Sequence, residues 1–292
     1  MSTKNLLVEL FVEELPPKAL KKLGEAFAGA VADSLTAQGL AAADAAVTPF
    51  ASPRRLAVHV AGVAAQAADK PVSHKLMPVN VGLDANGKAT PALLKRLAAL
   101  GLDETIIPNL KRAIDGKSEA LFFDSVAKGA TLMEGLQKAL DEALVKLPIP
   151  KVMAYQLHEN CEQPGWSTVN FVRPVHGLVA LHGAEVVPVS ALGLTAGRAT
   201  QGHRFEAAVS PVSLKDADSY AAQMENEGAV IASFEARRAD IVRQLHDAAA
   251  KVGGGVKPVA DDALLDEVTG LVERPNVLVG RFGQEFLGVP QE

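Results

Sequence analysis

The sequence predicts an α+β protein in which mixed and antiparallel sheets pack against helices. Residues 165–205 read as consecutive strands at 168–173, 176–182 and 185–189, punctuated by Pro174, His182-Gly183 and Ala196-Gly197. Other segments carry an apolar stripe at helical spacing between recognisable start and stop signals. The 292 residues, with 48% hydrophobic and 22% charged side chains, are enough to bury a core as one large domain or two smaller ones.

In chain order, residues 6–12 form a strand stopped by Glu13-Glu14-Leu15-Pro16-Pro17. A helix follows to Gln38, with Leu20, Leu23, Phe27, Val31 and Leu35 on one face and Gly39 closing it. Glu13 and Glu14 precede its N-terminus, where the helix dipole favours negative charge. Strands at 46–50 and 55–63 flank a turn that bears Arg54 and Arg55, either solvated turn charges or a phosphate grip. A strand at 72–79, a short helix at 90–100, turns at Asn86-Gly87 and Asp115-Gly116, and a strand at 120–126 come next. Thr131 and Glu134 make a capping-box pattern that opens a helix to Lys146, ended by Pro148 and Pro150. Those prolines set the expected division into an N-terminal subdomain, 1–150, and a central-sheet subdomain, 151–292. After residue 205, a strand at 207–209, a helix at 213–226 and a strand at 229–232 are expected. A helix at 233–252 follows, with Phe234, Ile241, Leu245 and Val252 as core and Arg237, Arg238 and Arg243 as solvated charges. A helix at 263–272, a strand at 277–280 and a turn at 283–287 complete the reading.

Charge argues against a strongly basic nucleic-acid binder, since the chain carries a net −5. Residues 1–151 hold 18 Lys+Arg against 16 Asp+Glu, and residues 152–292 hold 11 against 18. Contact with nucleic acid would therefore come from local patches and be salt-sensitive. The single cysteine, Cys161, rules out an internal disulfide and fits a reducing cytoplasm. No apolar run approaches the roughly 18–20 residues of a membrane span, and no signal-peptide pattern opens the chain. A soluble, cytoplasmic protein with no membrane partner is expected.

The loop 197–205 places Gly197, Arg198, Gly202, His203 and Arg204 within nine residues, a composition suited to holding a phosphate or carboxylate. The seven histidines show no metal-ligand spacing, so no metal is expected. Neither a Walker phosphate loop nor a dinucleotide fingerprint is present, and Gly253-Gly254-Gly255 reads as a linker. Cys161 lies near His158 but lacks an oxyanion hole and an orienting third group, so no catalytic residue is assigned.

Five strings carry a family resemblance: LLVELFVEELPPKAL at 6–20, SPRRLAV at 52–58, FVRPVH at 171–176, TQGHRF at 200–205 and LLDEVTGLVE at 264–273. In that order they resemble the beta subunit of bacterial heterotetrameric glycyl-tRNA synthetase. Two departures are visible: Phe11-Val12 stands where the family usually has Gly-Thr, and Met153-Ala-Tyr-Gln where it tends to Met-Arg-Trp-Gly. The resemblance implies an N-terminal fragment of a longer subunit, with a fold similar to the editing-type module of the phenylalanyl-tRNA synthetase beta subunit. It implies a non-catalytic part of an aminoacyl-tRNA synthetase that binds glycine tRNA and assembles with an alpha subunit as two alpha and two beta chains. No cofactor is expected in this chain, because ATP and Mg would be used by the alpha subunit. The tRNA contacts expected at motif positions are Arg54, Arg55, Arg173, His203 and Arg204. The alternatives are an editing-type hydrolase of mischarged tRNA and a purely structural scaffold that docks the alpha subunit.

Overall fold

The structure, a computed structural model, describes residues 2–84, 86–115 and 118–288. The chain gathers into two compact units, residues 1–66 with 131–292 and residues 67–130. The boundary expected at 150 falls inside the first unit, because strand pairing ties residues 3–12 to residues 175–182.

The first unit opens with β1 (Thr3–Val12), α1 (Pro17–Ala37), β2 (Val47–Ser52) and β3 (Arg55–Ala64). Pro17 starts α1 where its missing N–H costs nothing, and Gly39, at φ 77°, turns the chain out of it. Leu20, Leu23, Phe27, Val31 and Leu35 are buried on the face of α1 that packs against β2 and β3. A Cβ on Gly24 would lie 2.6 Å from that of Ala51, so a glycine lets the helix approach the sheet this closely.

The second unit contains β4 (Lys70–Pro78), the one-turn α2 (Val79–Gly82), α3 (Pro91–Ala99), β5 (Lys111–Asp115) and β6 (Ser118–Ala127). Its sheet has the order β4-β6-β5 over a core of Leu76, Leu93, Leu97 and Leu121. Thr90 caps α3 by accepting from the Leu93 amide. The turn at Asn86-Gly87 is present, with Gly87 at φ 74° and the Asp84 carboxylate accepting from two amides. Gly116 of the other expected turn lies outside the described residues. Strand β5 has few apolar residues and escaped the sequence reading.

The chain re-enters the first unit with α4 (Leu132–Lys146), whose Thr131/Glu134 capping box closes reciprocally. The hairpin of β7 (Met153–Gln156) and β8 (Thr168–Phe171) leads to β9 (Val175–His182) and β10 (Glu185–Val186). The main sheet is antiparallel with order β10-β9-β1-β3-β2, so β1 sits at its centre. Two short ladders follow: β11 (Ser190–Ala191) with β12 (Leu194–Thr195), and β13 (Ala199–Thr200) with β14 (Val212–Ser213). The helices α5 (Tyr220–Asn226), α6 (Phe234–Val252) and α7 (Asp262–Thr269) end the described elements, with a 3₁₀ turn at Gln284–Gly288. Leu7, Ala57, Val179 and Leu181 of the sheet share a core with Val212, Leu214, Tyr220, Met224 and Val230.

Several expected elements differ. Residues 207–209 form no strand, because the Ala208 and Val209 amides both donate to the single Glu227 carbonyl. The helix expected from 213 starts at Tyr220, since the Asp216 carboxylate captures the Ser219 amide in a local turn. Residues 229–232 and 277–280 form no ladder: Ala229 has a φ of 55°, the Ala232 carbonyl accepts from the Ala51 amide, the Ile231 amide donates to the Glu273 carbonyl, and the Val277 amide donates to the Gln244 side chain. No helix among the described residues is long and apolar enough to cross a membrane.

Candidate functional site

Strand alternation turns Leu7 and Glu9 of β1 to the same face, and Glu9 thereby becomes a buried carboxylate within that core. It accepts hydrogen bonds from the Thr200 hydroxyl and the Tyr220 phenol. Burial, and then the Glu9 charge, hold the Tyr220 pKa well above 10. Arg55 opens β3 and is 0% exposed. Its Nη1 donates to Glu273 Oε1 at 3.2 Å and Ser52 Oγ at 3.2 Å, and its Nη2 donates to the Gln201 carbonyl. Its Nε lies 3.5 Å from Glu9 Oε2, an ion pair without a shaped hydrogen bond. Arg54 sits at the rim, with Nη2 donating to Glu273 Oε2 at 3.0 Å and to the Gly202 carbonyl at 2.9 Å. Both guanidiniums lie over the Phe11 ring, at 5.2 and 5.6 Å from its centroid.

Arg237, expected to be a solvated charge, is instead fully buried. It donates only to backbone carbonyls, including Ile231 at 2.7 Å, Ala51 at 2.8 Å and Thr269 at the C-terminal end of α7. Burial, and then the like charge of Arg55, lower its pKa to about 10. Its position follows from the α6 stripe, where it stands three residues after buried Phe234 and four before buried Ile241.

The loop after β13 rises from this network to the surface. Its His203 amide donates to the Gly228 carbonyl at 2.6 Å, and a Cβ on Gly202 would lie 2.6 Å from that carbonyl oxygen. Only glycine fits there. The His203 ring folds back on its own loop, with Nδ1 accepting from the Phe205 and Glu206 amides at 3.2 Å each. Phe205 stands 87% exposed, and Arg204 is exposed with Nη2 3.5 Å from Glu14 Oε1. Arg54, His203, Arg204 and Phe205 line one shallow cleft of about 240 Å³, closed on the other side by Leu271, Val272, Glu273 and Arg274. Arg274 is exposed and makes no ion pair among the described residues.

The structure thus brings together Arg54, His203 and Arg204, with Arg55 directly beneath them. Arg55 presents no surface to a ligand, and most of the Arg54 fork is engaged internally. Arg173 stands elsewhere: its Nη1 meets the Met153 sulfur at 3.3 Å and the Val172 carbonyl at 2.9 Å. Near it His176 Nε2 lies 2.9 Å from Glu13 Oε1. Arg274 and Phe205 were missed as site residues, although Phe205 ends the string 200–205 and Arg274 directly follows the string 264–273. Among the described residues no group of three His, Cys, Asp or Glu side chains could hold a metal, and the Cys161 thiol meets only the Leu157 carbonyl. Chemically, the cleft offers two guanidiniums outside the buried network, those of Arg204 and Arg274, and an exposed aromatic ring, beside the exposed Glu14 carboxylate. Guanidinium and aromatic groups of this kind bind a phosphate and stack a base.

Comparison with known proteins agrees with the motif strings. The family model for the glycyl-tRNA synthetase beta subunit matches residues 6–292. The glycine–tRNA ligase beta subunit of Leptothrix cholodnii is 73% identical over the whole chain, which covers 40% of that protein. Those of Paracidovorax citrulli and Polaromonas naphthalenivorans are 70% and 68% identical over the whole chain, covering 41% and 42%. The chain therefore spans about two-fifths of the length of the relatives it matches. The chain belongs to the glycyl-tRNA synthetase beta subunit family.

Proposed function

We propose that this chain is a non-catalytic, tRNA-holding part of a glycine–tRNA ligase. The ATP- and Mg-dependent attachment of glycine takes place on a separate alpha subunit, in a cytoplasmic assembly of two alpha and two beta chains. The observation that carries the reading is the cleft that Arg204, Arg274 and exposed Phe205 line together. Guanidinium forks hold phosphates without regard to sequence, and an unpaired base at a strand end stacks on an aromatic ring. The Arg204–Glu14 pair does not oppose this, because an ion pair exposed on both sides contributes little and yields readily to a phosphate. Arg173 belongs to the same proposal as a contact at a second point on the surface, while Arg54 and Arg55 serve from below.

Steady-state aminoacylation by the ligase tests this. Changing both Arg204 and Arg274 to alanine is expected to raise KM for glycine tRNA about tenfold or more, as two charge-assisted contacts are lost. KM for ATP and for glycine is expected to stay at the unsubstituted value. An unchanged KM for tRNA would refute the assignment of the cleft.

A further inference from the structure

Three successive residues of the loop are each held by a different member of the buried charge network. The Thr200 hydroxyl donates to Glu9, the Gln201 carbonyl accepts from Arg55, and the Gly202 carbonyl accepts from Arg54. Both arginines pair with one carboxylate, that of Glu273, whose Oε2 takes Arg54 Nη2 and whose Oε1 takes Arg55 Nη1 and Arg54 Nε, while Glu9 supplies the second negative charge beside Arg55. The backbone of Glu273 is itself pinned, since its carbonyl accepts from the Ile231 amide at 2.9 Å. The next residue, Arg274, enters the cleft. Glu273 therefore stands where both walls of the cleft meet, holding the loop wall through Arg54 and Arg55 and the Arg274 wall through the chain itself.

We propose that Arg54, Arg55 and Glu273 form a buried latch that positions loop residues 203–205 for the phosphate and base of a tRNA, without touching the RNA. The proposal rests on the reading of the cleft given above and deepens it. A lysine cannot replace arginine in such a latch. Arg54 holds both Glu273 oxygens along one edge of its planar fork, through Nε at 3.4 Å and Nη2 at 3.0 Å, while Nη2 also donates to the Gly202 carbonyl. An ammonium is a point charge that keeps the ion pair but does not reproduce this two-nitrogen edge. The arrangement also explains why two adjacent arginines at a turn have their donors facing inward. Each supplies donors to a backbone carbonyl that has no ladder partner at that position.

Arg54→Lys in the full-length beta subunit, with its alpha subunit present, provides the test through two readouts. In hydrogen exchange, the amides of His203, Phe205 and Glu206 are expected to exchange about tenfold faster, while those of β1 and β3 stay unchanged. In binding of glycine tRNA across a salt series, affinity is expected to fall about tenfold with the salt slope unchanged. Unaltered exchange at 203–206, or an equal rise throughout the sheet, would overturn the latch. So would a salt slope reduced by about one, which is the mark of a lost phosphate contact. If the unsubstituted protein binds no tRNA, the cleft's function fails, and the exchange readout still decides the latch.

Discussion

Tyr220 donates its phenolic proton to the Glu9 carboxylate in a site without solvent, and this makes folding sensitive to alkaline pH. An unfolded tyrosine titrates near pH 10, whereas burial and the Glu9 charge hold the folded phenol well above that. Above pH 10 the unfolded chain releases a proton that the folded chain keeps, so stability falls as pH rises through that window. Arg237 acts in the opposite direction, since its folded pKa of about 10 lies below the ordinary arginine value. Comparison with Tyr220→Phe separates the two, because Arg237 is common to both proteins. At pH 8 the Phe variant is expected to be less stable by about 1.5–3 kcal/mol, for a lost bond to a buried charge. In urea unfolding at pH 8 and pH 10.5, that difference is expected to shrink at the higher pH. An undiminished difference would mean that the phenol titrates normally. At this scale the sequence was legible in part. Arg237 sits on the apolar stripe of α6 and could have been placed inside by its spacing. The burial of Glu9 depends on which face of β1 meets the α5 layer, and local periodicity does not encode that.

Elements with chemically marked ends were read almost to the residue. The helix α4 runs Leu132–Lys146, as the Thr131/Glu134 pair and the following prolines predict, because a capping box satisfies two orphan amides at a defined position. Thr131→Ala is expected to cost about 1 kcal/mol in denaturant unfolding, with the Thr131→Ser variant close to the original. A cost near zero would show that α4 is held by packing alone. Short apolar runs were read less well. Residues 229–232 and 277–280 have the composition of strands, yet strand identity requires a neighbour, and here the neighbours offer only single hydrogen bonds. The 213–219 segment was read as helix on composition, while the Asp216–Ser219 turn takes up the amides a helix would need. The candidate site shows the same limit. Its loop was legible from Gly202, His203 and Arg204, and its far wall at Arg274 was not, since about seventy positions separate the two in the chain.

At the scale of the whole molecule, residues 67–130 form a unit with its own core, entered and left at adjacent points of the first unit. Gln66 and Thr131 pair in an antiparallel bridge at those points, which is why a boundary drawn from prolines at 148 and 150 missed the insertion. Replacing residues 67–130 by a short Gly/Ser linker is expected to leave the first unit unfolding in one cooperative transition, because closing a loop between neighbouring ends costs little. Loss of that transition would contradict its independence. The chain's net charge of −5 requires any RNA contact to be local, and the cleft at Arg204, Phe205 and Arg274 is the local patch the account depends on. The most direct measurement is equilibrium binding of glycine tRNA across a salt series, with Arg204 and Arg274 each changed to alanine. Each substitution is expected to weaken binding and to lower the salt slope by about one, as the loss of one phosphate contact requires. Binding with an unchanged slope in both variants would contradict the account and move the RNA contact away from this cleft.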